Sequence, residues 1–126
     1  MIQKILLVFV GGGLGSAFRY LIGIALNRND FLTPYGTFFV NVIGSFLIGL
    51  LAGYNLRTLN LNHDYQALLI AGFLGGFTTF SSFAFENMVM LQNGKFLLFL
   101  SYFFTTLIVG LFAVGLGYYM SKYVPA

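Results

Sequence analysis

Four apolar stretches, each close to the ~20 residues a helix needs to cross a bilayer, constrain this chain more than any other feature. They run from Ile2 to Leu26, Gly36 to Tyr54, Ala67 to Leu91 and Phe96 to Met120. Short polar connections separate them. Asn27 to Tyr35 carries Arg28, Asp30 and Pro34, Asn55 to Gln66 holds His63 and Asp64, and Gln92 to Lys95 contains an Asn-Gly turn. The layout predicts an all-α membrane protein, with residues 1–126 forming a single four-helix transmembrane subunit in the lipid bilayer. Lys4 followed by an apolar run resembles a signal peptide. The run is long, rich in glycine, holds Arg19 and ends without a clean cleavage site, so it reads as the first span.

Composition narrows the function. Hydrophobic residues make up 59% of the chain and charged residues 7%, against the ~25% charged residues of typical soluble domains. Cysteine is absent and there is one histidine, so no thiol nucleophile or cysteine metal site exists. Three acids and one histidine supply no evident acid–base pair, which sets an enzyme aside. The six basic residues are scattered along the chain, so the net charge of +3 does not point to nucleic acid.

Those charges also bear on orientation, because basic residues normally collect on the cytoplasmic side. Four spans put Lys4, Arg57 and Lys122 on one side, and Arg28, Lys95 and the nearby Arg19 on the other. Three against three favours neither orientation. One fixed topology and dual topology, with copies inserted both ways and pairing antiparallel, are both consistent with it. Gly11 and Gly15, Gly49 and Gly53, and Gly72 and Gly76 have the spacing that lets helix backbones approach closely.

Polar groups in hydrocarbon are costly and mark function or packing. The third span holds Gly75-Gly76-Phe77-Thr78-Thr79-Phe80-Ser81-Ser82-Phe83 near its middle. Two glycines, two threonines and two serines weaken a helix, and hydroxyls can bond the freed backbone. A break near the midplane is the expectation, the alternative being an intact helix whose hydroxyls bond the preceding turn. A break would present carbonyls to a cation or amides to an anion. Phe80 and Phe83, three residues apart, can turn ring edges toward an anion, since an aromatic edge is electropositive. Packing is the simpler use of most of the 16 phenylalanines. Asn41 offers an amide within the second span, for an anion or for a helix–helix hydrogen bond. Arg19 lies about 12 Å from the first loop at 1.5 Å per residue, placed for structure or for an entrance vestibule. Glu86, the only acid in any span, is set to snorkel or to pair with a cation. Proton-coupled transporters and cation channels rely on intramembrane carboxylates, so one acid fits a small anion better. Ser101, Thr105 and Thr106 in the fourth span belong to no recognisable motif.

Three segments resemble, in order, the three signatures of the Fluc (CrcB) fluoride channel family. They are Gly12-Gly13-Leu14-Gly15-Ser16-Ala17-Phe18-Arg19-Tyr20, Gly36-Thr37-Phe38-Phe39-Val40-Asn41-Val42-Ile43-Gly44, and Gly72-Phe73-Leu74 running on through Phe83. Length and four-span layout match as well. The resemblance implies an antiparallel, dual-topology homodimer with two pores, in a bacterial inner or plasma membrane, conducting fluoride passively and selectively out of the cytoplasm. It implies that Phe80 and Phe83 line the pore with Asn41, and that Ser81 and Ser82 place hydroxyls beside it. It implies that the backbone carbonyls of Gly75 and Thr78 bind a structural sodium ion. The family often has threonine at the position of Ser82, a change that keeps the hydroxyl. Small multidrug transporters share the four-span antiparallel plan but depend on a glutamate in the first span, which this chain lacks. A purely structural subunit would not need the polar run in the third span.

Overall fold

A computed structural model describes residues 1–27, 30–58 and 61–125. Every regular element in them is helical, in the order α1 (Ile2–Asn27), α2 (Tyr35–Thr58), α3 (His63–Tyr65), a π-helix π1 (Gln66–Leu74), α4 (Gly75–Phe77), α5 (Phe80–Gln92) and α6 (Phe96–Ser121). Four helical stretches, Ile2–Leu26, Tyr35–Thr58, His63–Gln92 and Phe96–Ser121, are long and apolar enough to cross a membrane. The protein is thus a four-span membrane protein. Arg28, counted above among the loop charges, lies outside the described residues.

Two spans differ from their sequence boundaries by more than one residue. The second continues four residues past Tyr54 to Thr58, because the Thr58 hydroxyl donates to Tyr54 O at 2.9 Å. Arg57, in its last turn, donates from Nη2 to Ser121 O at the end of α6 and to Val124 O just beyond it. The third span begins at His63 rather than Ala67. Asn62 caps it by accepting from Asp64 N at 2.9 Å. Its first half is a nine-residue π-helix, wider than an α-helix and rarely sustained over several turns.

Glycines set the packing of two helix pairs. Gly11 and Gly15 of α1 lie against π1 and α4, where Gly72 and Gly76 lie back against α1. A Cβ on Gly15 would overlap Phe73 O and sit 2.8 Å from Phe77 N, and one on Gly76 would overlap Gly12 O. Gly49 and Gly117 serve the α2–α6 crossing in the same way, against Val114 O and Phe46 O. With no water to drive apolar association, this close backbone contact is what holds spans together. The last turn before α6 closes at Gly94, whose φ of +69° favours glycine, while Lys95 N returns to Met90 O at 2.8 Å.

Candidate functional site

Between α4 and α5 the chain leaves the helix. Thr78 (φ −85°, ψ 157°) and Thr79 (φ −149°, ψ 116°) are extended. An α-helix would send Thr79 N to Gly75 O and Ser82 N to Thr78 O. Instead Thr79 N donates to Asn41 Oδ1 at 2.7 Å, and Ser82 N donates to Thr79 Oγ1 at 3.1 Å. Asn41 Nδ2 completes the bridge by donating to Thr79 O at 3.0 Å. One side-chain amide on α2 therefore satisfies both backbone groups of Thr79, and the carbonyls of Gly75 and Thr78 lose their helical donors. Gly44, one turn along α2, leaves the space that the Thr78 methyl enters.

Two cavities flank the extended pair, and Thr79 borders both. The first, of about 510 Å³, is lined by Ser16, Arg19, Asp30, Thr37, Ser82 and Glu86 among others. The second is a groove of about 520 Å³ between α2, the third span and α6, lined by Asn41, Gly75, Thr78, Phe80, Phe83 and Thr106 among others. Apolar surface dominates the groove, and no acidic or basic side chain among the described residues lines it.

In the first cavity Arg19 is half-buried and forms no ion pair among the described residues. Glu86 does not snorkel and pairs with no cation among them. It is 4% exposed, and its carboxylate accepts from Thr37 Oγ1 at 2.6 Å and Tyr102 Oη at 2.7 Å. Hydroxyls from α2 and α6 thus satisfy a charge that hydrocarbon would penalise. Thr37 and Tyr102 are partners that no motif revealed, since they sit 49 and 16 residues away in sequence. Tyr102→Phe should lower stability by about 1.5–3 kcal/mol, the worth of a hydrogen bond to a charged group. SDS unfolding of the purified variant measures it.

On the groove side, Phe80 and Phe83 lie with ring centroids 6.1 Å apart. They differ in setting. Phe83 is 5% exposed and packs on Tyr102 and Phe103, whereas Phe80 is 80% exposed. The serines part company from the rings. Ser82 faces the first cavity and Ser81 is exposed, although both hydroxyls lie 3.2 Å from Thr79 Oγ1. In the fourth span Ser101 donates to Leu97 O in its own helix, while Thr106 reaches the groove. Thr106 Oγ1 is buried with no hydrogen-bond partner among the described residues. An unmatched buried hydroxyl beside Asn41 and Phe83 was not legible in a span without a motif.

The architecture defines a class: a small four-span membrane protein whose third span is interrupted by two extended residues, with a polar cavity on one side and an aromatic groove on the other. Residues 6–118 match the family model described as CrcB-like protein, Camphor Resistance (CrcB), and the chain belongs to that family. Similar proteins carry the name Fluoride-specific ion channel FluC. One from Azobacteroides pseudotrichonymphae is 40% identical over 124 residues, covering 98% of this chain and 99% of the relative. One from Gloeothece citriformis is 46% identical over 120 residues, covering 94% and 97%. One from Aquifex aeolicus is 40% identical over 116 residues, covering 91% and 94%.

Proposed function

We propose that this chain is one subunit of a passive, fluoride-selective channel that lets fluoride leave the cytoplasm. The observation that carries the reading is the Asn41-bridged interruption at Thr78–Thr79, set between a cavity holding Arg19 and a charge-free groove holding Phe80 and Phe83. The names of the full-length relatives supply the ion. Hydrogen fluoride crosses membranes uncharged and dissociates at near-neutral pH, which traps fluoride inside. A negative-inside potential drives an anion outward by about 2.3 kcal/mol per 100 mV. Arg19 attracts the anion to the vestibule. Along the groove, Asn41, the hydroxyl of Thr106 and the ring edges replace water around it, and no full positive charge holds it there. Among the described residues of the spans, Glu86 is engaged with Thr37 and Tyr102, and Asp64, at the N-terminal end of the third span, with Gln3, which fits passive flow without a proton carrier.

The groove also supports the antiparallel dimer. Irregular backbone does not survive against lipid, so freed carbonyls opening onto a groove need protein or water over them. A second, inverted copy covers the groove and its exposed Phe80, and brings two interruptions together on a two-fold axis lying in the membrane. Two pores per dimer follow. The carbonyls of Gly75 and Thr78, left without helical donors, are the oxygen ligands a sodium ion takes, and the partner subunit supplies a second pair. A sodium ion held by these carbonyls would offset the repulsion between carbonyl dipoles contributed by the two copies. Gly75 and Thr78 hold it through backbone oxygens alone, with no side-chain charge.

Fluoride efflux from liposomes carrying Phe80→Ala tests the ring-edge path. The variant should assemble as a dimer and release fluoride at least tenfold more slowly than the parent. Release at the parental rate overturns this role.

A further inference from the structure

The end of the bundle opposite the vestibule carries a group of side chains that the conduction path does not use. Arg57, in the last turn of α2, is exposed, yet it is fixed in place. Its Nη2 donates to Ser121 O at 2.9 Å and Val124 O at 2.6 Å, and its guanidinium lies 5.7 Å from the Tyr54 ring centroid. Those two bonds use one of its three nitrogens. Lys122 follows directly on α6, exposed, with Nζ 5.5 Å from the Tyr119 ring centroid. The Tyr119 and Tyr123 hydroxyls lie 2.9 Å from each other at the same helix end. No carboxylate pairs with either cation among the described residues. Asp64, the acid at this end of the bundle, accepts from Gln3 Nε2 at 3.0 Å instead.

We propose that Arg57 and Lys122, with the Tyr119–Tyr123 pair, form a binding site for the headgroup of an anionic phospholipid. Three features favour that occupant. The residues stand at the ends of two membrane spans, the level at which phosphates lie and at which tyrosine collects. Two unpaired cations carry a surplus that a zwitterionic headgroup does not balance and an anionic one does. The carbonyls of Ser121, the last residue of α6, and of Val124 beyond it hold Arg57, and a held guanidinium fork suits a phosphate, so little side-chain freedom is lost on binding. One hydroxyl of the tyrosine pair donates to the other, and the second keeps its proton as a neutral donor to the same headgroup.

Native mass spectrometry of the detergent-purified protein, titrated with phosphatidylglycerol or phosphatidylcholine, tests the site. Phosphatidylglycerol should bind at least fivefold tighter than phosphatidylcholine. Lys122→Gln should weaken phosphatidylglycerol binding about fivefold, the ~1 kcal/mol that one basic residue contributes near an anionic surface. Arg57→Gln also removes a cap from α6, so Lys122→Gln decides. Lys95→Gln, at the other end of the bundle, is the control and should leave binding unchanged. Equal binding of the two lipids, or an equal loss in Lys95→Gln, overturns the proposal. Neither outcome depends on fluoride conduction.

Discussion

Asn41→Asp should stop fluoride flow in a protein that still folds. The substitution is isosteric, and the new carboxylate still accepts from Thr79 N, as Asn41 Oδ1 does at 2.7 Å. It loses the donor that reaches Thr79 O, at about 1–3 kcal/mol of stability, and sets a negative charge beside the groove. An anion about 4 Å from that charge is repelled by about 4 kcal/mol at an effective dielectric of 20, roughly a thousandfold in occupancy. Fluoride efflux should fall at least a hundredfold while the dimer remains intact by size-exclusion chromatography. Asn41→Ala separates the two duties of the residue. It leaves Thr79 N and Thr79 O without their partner, at about 1–3 kcal/mol each, and should appear first as lost stability. Efflux from Asn41→Asp within tenfold of the parent would show that Asn41 only braces the backbone.

Gly15→Val should remove the folded protein. Gly15 is buried, and even one added carbon would overlap the Phe73 carbonyl and crowd Phe77 N. Those obstacles are backbone atoms, so no rotamer change relieves them. The third span would have to move off α1 just before the extended pair, carrying Thr78 and Thr79 away from Asn41. Overpacking costs about 1–3 kcal/mol where side chains can adjust, and more is expected where they cannot. Gly13→Val is the matched control, because none of the described residues lies within 4 Å of an added Cβ there. Detergent extraction followed by size-exclusion chromatography should return Gly13→Val as a sharp peak and Gly15→Val as aggregate. Equal peaks would mean that α1 does not need this contact.

These two sites show how much the sequence carried. The four spans and the turn at Gly94 follow from local rules, hydropathy length and Asn-Gly chemistry, and the structure has them within a few residues. The extended pair falls inside the Thr-Thr-Phe-Ser-Ser run, where breakers coincide, and Gly11, Gly15, Gly49, Gly72 and Gly76 lie where helix backbones meet, whereas Gly53 faces the side chains of Ser121 and Tyr118. Long-range partners were another matter. Nothing local announces that Asn41 meets Thr79, or that Glu86 meets Thr37 and Tyr102. Such pairs are made by the crossing of helices, and a single sequence does not encode a crossing in any short pattern. The same reason separates Ser82 from Phe83, since neighbours on a helix point about 100° apart and so into different cavities. Arg57 and Thr58 read as loop because a polar pair usually ends a span, yet both bond to helix-end carbonyls. The π-helical turns from Gln66 to Leu74 have no compositional signature at all.

The most direct test of the account is ion release from liposomes that hold the purified protein at low density. A fluoride electrode follows fluoride release, and matched vesicles loaded with chloride serve as control. The account predicts rapid fluoride release once the membrane potential is collapsed by a potassium ionophore, with chloride retained on the same timescale. Fluoride retained by vesicles containing well-folded protein, or fluoride and chloride lost at equal rates, would contradict it.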